Sequence, residues 1–306
     1  EFADTPLGAG DFVMVAGYPG RTNRYALASE FLDTAEHTYP LTIQHVGAVI
    51  DRVQKAGDAN PDIQVKYANS MASWNNVTKN YAGQLEGFVR IGAAATKQAE
   101  EAAVLAWLKA QGRAGKPALD AHAQLVGHGR TTGSTRERDF FVGQFHNTQL
   151  LASAITLYRL AIENAKPDAE RAPGFQQRNL PTIEGGLRQM DRRYHADMDQ
   201  QIQAYWLQQY LALPAQQRTS PVLEQFLANG GADGLVQRLA GSELGQLDNR
   251  LKWMGADKVA FEASTDPAIQ YAVALMPSLL EQEAARKRRA GEALTARATY
   301  LQAVAD

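Results

Sequence analysis

The sequence predicts an all-α protein, a bundle of long antiparallel helices with one short β-like segment near its N-terminus. Three observations carry this. Apolar residues recur at three- and four-residue spacing through most of the chain, the period of a half-buried helix. Only Phe12-Val13-Met14-Val15-Ala16 has the continuity of a strand, and no second run of comparable quality follows. The connections are short, and neither a solenoid-period repeat nor a low-complexity segment interrupts the pattern.

The elements follow in order. A lone strand at Phe12–Ala16 would leave its backbone N–H and C=O groups without partners, and even two strands are marginal in water. Its partners therefore lie elsewhere in this chain or in sequence outside it. GYPGRT, Gly17 to Thr22, reads as a tight strand-to-helix turn set by Gly and Pro. Its glycines are too close together, and Arg21 stands where a phosphate loop needs lysine, so no phosphate site is expected. Thr22 or Asn23 caps a helix carrying Tyr25, Ala28, Leu32 and Ala35, and Pro40 ends or restarts it. Ile43, Val46, Val49, Ile50 and Val53 line the next helix, which Gly57 and the Asp58–Pro61 stretch stop.

A long helix runs from Pro61 through KYANSMASWNNVTKNYAGQLEGFVR into EEAAVLAWLKAQG. After a turn at Gly112–Pro117, PALDAHAQLVGHG is a shorter helix and RTTGST a polar loop, with Ser134 and Glu137 spaced as a capping box. ERDFFVGQFHNTQLLASAITLYRLAIENAK reads as a second long helix. A proline-rich loop follows, and TIEGGLRQMDRRYHADMDQQIQAYWLQQYLAL reads as a third. Pro214 and Pro221 punctuate shorter helices, and SLLEQEAARKRRAGEALTARATYLQAV closes the chain as one or two more.

Composition narrows the function. The chain has 306 residues, 45% of them hydrophobic, enough for a buried core. A net charge of −2 argues against a general nucleic-acid-binding surface. The absence of cysteine excludes disulfides, zinc–thiolate sites, iron–sulfur clusters and Cys nucleophiles. No apolar run is long enough to span a membrane. EFADTPLGAGD has neither the basic nor the apolar region of a signal peptide.

The histidines are His37, His45, His122, His128, His146 and His195. None stands in an H-E-x-x-H pattern, and His122 and His128 fall on different helix faces, so no metal and no cofactor are expected. G-x-S-x-G is absent, and nothing local favours a serine nucleophile. Glu281 and Glu283 precede Arg286-Lys287-Arg288-Arg289 by about one turn, which reads as a solvated helix face. SWNNVTKNY, Ser73 to Tyr81, is the most unusual helical stretch. Asn75, Asn76 and Asn80 are poor residues for a helix interior, because their side chains compete for backbone groups. Asn76 and Asn80 share a face, and an amide oxygen can accept from an ammonium group while its NH2 holds a neighbour. With Trp74, Lys79 and Tyr81 this cluster suits a ligand-facing surface or a polar solvent face.

FVMVAGYPGRTNRY, KYANSMASWNNVTKNYAGQ and ERAPGFQQRNLP, in this order, resemble the bacterial dipeptidyl-peptidases of the chymotrypsin clan. That family includes dipeptidyl-peptidases 7 and 11 and dipeptidyl aminopeptidase BII. The resemblance covers nearly all of this chain but only the middle of the family's. It implies a double β-barrel serine-peptidase domain interrupted by an all-helical insertion that caps the active-site cleft. Residues 1–21 would be a strand remnant and linker from the barrel, and residues 22–306 the cap, with the missing barrel domain as its partner. The family's catalytic His and Asp precede this region and its Ser follows it, so no catalytic residue is expected here and the chain alone should be inactive.

The resemblance further implies a substrate peptide with a free N-terminus, from which dipeptides are released, and a periplasmic or secreted location. The family's cap binds the substrate α-amine through an asparagine. Asn76 is the match, Asn80 falls at the motif's second Asn, and Asn75 is the match if the register shifts by one, with Trp74 beside them. Val77-Thr78 stand where many relatives carry two aromatics. The rival expectation is a free-standing all-α binding or scaffolding module without a peptidase role.

Overall fold

A computed structural model of the chain describes residues 6, 8, 10–14 and 25–305. Every regular element among them is helical. Phe12, Val13 and Met14 take no regular structure and stand in solvent, Phe12 with 89% of its surface exposed. Val15, Ala16 and the GYPGRT turn, with its Thr22 or Asn23 cap, lie outside the described residues.

The chain enters its first helix, α1 (Ala28–Asp33), under a Glu30 carboxylate that accepts from the Leu27 N–H at 2.8 Å. A π turn, Thr34–Thr38, leads directly into α2 (Tyr39–Ala59). Pro40 lies in the first turn of α2. The Tyr39 N–H reaches back five residues to the Thr34 carbonyl, and this wider turn absorbs the break that Pro40 imposes. Gly57 does not stop α2, which runs on to Ala59. Asn60 alone separates it from α3 (Pro61–Arg90), and its side chain accepts from the Asp62 N–H at 3.0 Å while Pro61 fills the first helical position. A Cβ on Gly57 would sit 3.4 Å from the Gln64 backbone, so glycine lets the two helices start close together.

Gly92, at φ 61°, separates α3 from α4 (Ala93–Ala110), and the tight turn after α4 leads to α5 (Lys116–Gly133). Of the segment expected as a polar loop, Arg130–Thr135, the first four residues are the last turn of α5, and Ser134 and Thr135 join it to the next helix. The Thr131 and Thr132 hydroxyls donate to the Gly127 and His128 carbonyls four residues back, which keeps this Gly/Thr-rich end helical. The expected capping box does not form: Ser134 Oγ donates to the Thr131 carbonyl, and Thr135 precedes α6 (Arg136–His146) with its hydroxyl on Asp139.

Three helices expected as continuous are broken, the first of them the long helix from Pro61, which Ile91 and the left-handed Gly92 divide into α3 and α4. Asn147 and Thr148 separate α6 from α7 (Gln149–Asn164), and residues 192–195 separate α8 (Leu180–Asp191) from α9 (Ala196–Ala212). Short helices α10 (Pro221–Leu227), α11 (Gly231–Ala240), α12 (Leu247–Met254) and α13 (Lys258–Glu262) follow. The last, α14 (Pro267–Ala305), runs for 39 residues with Pro277 inside it.

Two apolar clusters hold these helices. The larger gathers Phe145, Leu151 and Leu157, Met198 and Leu207, and Tyr271, all fully buried, around α7, α9 and the start of α14. The smaller joins Leu27, Leu108, Ala118 and Leu125 to Ala296 and Tyr300 at the end of α14. α14 therefore belongs to both. The loop after α7 is tied down by the fully buried Glu163 carboxylate, which accepts from Arg159 at 2.8 Å, Lys166 at 2.9 Å and the Ala172 N–H at 2.9 Å. Buried Arg250 donates to the Leu187, Leu244 and Gly245 carbonyls, which fixes the α8–α12 junction.

Candidate functional site

The first turns of α3 are part of the core, with Ile63 and Tyr67 buried. Beyond Tyr67 no residue of α3 is fully buried, so its middle forms a half-wet ledge. That is the stretch where the sequence places asparagines, whose desolvation an apolar core would not tolerate. On the ledge Asn75, Asn76 and Asn80 have three different environments.

Asn75 is half-buried, and its Nδ2 donates to the Met71 carbonyl at 2.8 Å. This anchors the NH2 and leaves the amide oxygen as a fixed acceptor. Thr78 Oγ1 donates to the Trp74 and Asn75 carbonyls at 3.0 and 3.3 Å and fills the remaining local backbone capacity. Asn80 is exposed and held by a relay. Tyr39 Oη donates to Gln84 Oε1 at 3.0 Å, and Gln84 Nε2 donates to Asn80 Oδ1 at 2.6 Å. The Asn80 carbonyl is thus already engaged, and what it presents outward is its NH2, a donor that an ammonium group cannot use. Asn76 is exposed, and its side chain makes no hydrogen bond to a described residue.

The structure places Asn76 and Asn80 on one exposed face and turns Trp74 the other way. The Trp74 ring packs against the core beside Tyr67, centroids 6.3 Å apart, and closes a cavity of about 360 Å³ with Ser70, Gln144, Thr148 and Trp206. Trp74 is thus a structural neighbour of the three asparagines and shares no surface with Asn76. Tyr81 packs back onto α2, stacked on Tyr39 at 4.0 Å and 14°.

At the floor of that small cavity lies Asp199, a carboxylate no sequence pattern singles out. It accepts from the Gln149 and Leu150 N–H groups at 2.9 and 3.3 Å and from Gln203 Nε2 at 3.1 Å. Burial pushes it up to about 6 from the usual carboxylate range, and those three donors only partly offset the rise. Asp199 caps α7 from α9, a tertiary replacement for the Thr148 side chain, which does not cap it.

The histidines are dispersed. His45 Nδ1 meets Tyr205 Oη at 2.8 Å, His122 meets Glu101 at 2.9 Å, and His146 meets Tyr271 Oη at 2.9 Å. Burial drops His146 to about 4, so it is neutral at physiological pH. No hydrogen bond among the described residues joins a histidine to a serine hydroxyl, and no three His, Asp or Glu side chains among them converge as a metal set. No helix among the described residues is long and apolar enough to cross a membrane.

A second, larger cavity of about 1590 Å³ opens where α3 and α1 face α5 and the late turns of α14. Gln84 and Phe88 of α3 line one wall, Arg130 of α5 and Arg286 and Arg289 of α14 the other. The basic run read from the sequence as a solvated face has Arg286 and Arg289 in this wall. Sequence reasoning could not find the cavity, because it depends on bringing α3 and α14 together from opposite ends of the chain.

A family profile described as Peptidase S46 matches residues 1–306. The Asp/Glu-specific dipeptidyl-peptidase of Shewanella putrefaciens is 35% identical over 302 residues, covering 97% of this chain and 41% of that protein. Dipeptidyl-peptidase 7 of Capnocytophaga gingivalis is 32% identical over 98 residues, 32% of this chain and 14% of that one. The crystal structure of Porphyromonas endodontalis DPP11 in complex with the dipeptide Arg-Glu superposes with a TM-score of 0.65 at 20% identity, over 94% of this chain and 41% of that one, a likeness of fold. The chain thus spans 41% of the length of the Shewanella putrefaciens protein and of the Porphyromonas endodontalis structure.

Proposed function

The chain belongs to the Peptidase S46 family, and from that membership we propose that it is the helical cap of a periplasmic or secreted serine dipeptidyl-peptidase, an exopeptidase that releases dipeptides from free peptide N-termini. Residues 22–306 form the cap. Residues 1–21 are the exit from a double β-barrel catalytic domain, and the Phe12–Ala16 strand pairs within that barrel. The catalytic triad is supplied by sequence on either side of these residues.

One observation carries the reading. Asn76, the residue matched to the family's amine ligand, is the asparagine of the SWNNVTKNY stretch whose amide makes no hydrogen bond to a described residue and is exposed. An ammonium group taken out of water needs such acceptors. A blocked N-terminus offers no ammonium and leaves the acceptor unpaired, which is how a site of this kind selects free termini. The Asn75 carbonyl, fixed by its bond to Met71, is the nearest second acceptor along the helix. The helical ledge contributes recognition and closure of the cleft and performs no bond-breaking step.

The test is release of a chromophore from free-amine dipeptide substrates. The 306-residue chain is expected to be inert, and the longer protein containing it active on free but not N-blocked substrates. In that longer protein Asn76→Ala is expected to raise KM and lower kcat/KM by about 10- to 100-fold, the worth of a hydrogen bond to a charged group. Turnover by the 306-residue chain, or unchanged kinetics for the variant, would overturn the reading.

A further inference from the structure

The large cavity carries more charge than its surroundings explain. Its carboxylates are already taken: Glu30 is paired with Arg297, Asp33 with Arg136, and Asp139 accepts from Arg138 at 2.7 Å and from Thr135 at 2.7 Å. Glu283, one turn from Arg286, is held by Lys287 at 2.5 Å and Arg159 at 3.0 Å. Glu292 lies 3.7 Å from His128. Arg130, Arg286 and Arg289 make no ion pair with a described residue. They surround a cavity whose opposite wall is aromatic, with Tyr39 and Phe88 stacked at 6.4 Å and Phe31 edge-on to Phe88 at 4.7 Å. In a chain of net charge −2 this is a local excess of cations beside apolar surface. Guanidinium groups favour carboxylates, with two parallel hydrogen bonds to each.

The cavity is continuous with the asparagine ledge. Gln84 lines it and donates to Asn80, and Asn76 lies one turn further along the same face. From Asn76 to Gln84 is about 12 Å along the helix, the length of three to four residues of extended peptide. A peptide whose amine sits on Asn76 has passed its second residue, and with it the bond to be cleaved, before its chain reaches Gln84.

We propose that the cavity binds acidic side chains of the substrate peptide downstream of the cleaved bond, through Arg130, Arg286 and Arg289, so that the cap reads the leaving segment as well as the amine. This rests on the reading of Asn76 as the amine ligand. The occupant is an extended, acidic peptide. It is recognised by its side-chain carboxylates while its backbone lies along the Tyr39–Phe88 wall.

The test is binding of fluorescent peptides to the longer protein containing this chain, with its nucleophilic serine changed to alanine so that the peptides stay intact, followed by anisotropy. The probe is Ala-Ala followed by four Glu, C-terminally amidated, beside its four-Gln counterpart, each with a free and with an acetylated N-terminus. The Glu peptide is expected to bind about tenfold tighter than the Gln peptide, the worth of one charge-assisted contact. Arg286→Gln with Arg289→Gln, two surface changes whose folding is checked by circular dichroism, is expected to bring the two peptides to within about twofold. The Glu preference is expected to survive acetylation. Equal binding of Glu and Gln peptides, or a preference untouched by the double variant, would overturn the proposal. If a Gln peptide with a free C-terminal carboxylate binds as tightly as the Glu peptide, the commitment to side-chain carboxylates falls. The amine reading is judged separately. If acetylation weakens both peptides equally, the amine site stands whatever the charge result. If acetylation has no effect while the Glu preference persists, the amine site falls and the acidic site remains.

Discussion

The Asp199 carboxylate caps the helix that begins at Gln149, accepting its N–H at 2.9 Å from 50 residues away. Its ordinary value of 3.8 rises to about 6 in the fold, chiefly through burial. The folded protein therefore holds the proton more tightly than the unfolded chain. Asp199 contributes its stability fully below about pH 4 and loses it as pH rises through about 6, on the order of 3 kcal/mol. Asp199→Asn is expected to remove this slope, with Gln203 turning so that its unpartnered buried Oε1 accepts from the new amide. Tm measured from pH 4 to 8 should show the variant gaining on the parent across that window. A constant difference would mean that Asp199 bears its charge without penalty.

Glu163 behaves in the opposite sense. Burial alone would raise it, but the Ala172 N–H, Lys166 and Arg159 more than reverse this and hold it below the usual glutamate range. Its stabilisation is present above the unfolded value and is lost as pH falls through the folded one. Glu163→Ala leaves Arg159 with Glu283 as its one remaining carboxylate and frees the loop to Ala172, at about 1–3 kcal/mol. Urea midpoints should fall accordingly, and limited proteolysis should cut near residues 166–172 first.

Gly115→Ala should destabilise through sterics alone. A Cβ there would lie 1.9 Å from the Leu108 carbonyl oxygen, a backbone atom that cannot move without unseating the α4–α5 turn. The expected loss is about 1–3 kcal/mol, the range for overpacking a tight site. A Tm equal to the parent's would show that this turn can shift freely.

Gln84→Met removes the relay from Tyr39 to Asn80 while keeping side-chain volume. If Asn76 carries the amine, kcat/KM for short chromogenic dipeptides should change less than about threefold in the longer enzyme. A loss equal to that of Asn76→Ala would transfer the amine to Asn80.

Much of the fold was legible because helical periodicity survives in a single sequence, and Pro61, Pro214 and Pro221 mark boundaries wherever they fall. The errors share a cause. The breaks at Asn147-Thr148 and at residues 192–195 interrupt no apolar period, since tertiary partners such as Asp199 satisfy the exposed helix ends. Arg130–Gly133 looked like a loop by composition, but the hydroxyls of Thr131 and Thr132 bond inward to the helix itself. The asparagine cluster stood out because its residues fit a helix poorly. What each asparagine does with its amide, and which of them shares a face with Trp74, depends on neighbours such as Gln84 and Met71 that act only in three dimensions.

α14 is anchored at its start by Tyr271 and at its end by Tyr300, and Pro277 leaves its ladder short of one bond between them. That makes the helix a lever with a soft point. The arginine wall sits about 13–18 Å beyond the pivot, where a tilt of about 10° moves it by roughly 2–3 Å. Because Tyr300 pins the far end, such a tilt requires the second cluster to move with it, so the width of the arginine-lined cavity is tied to the packing of both clusters at once.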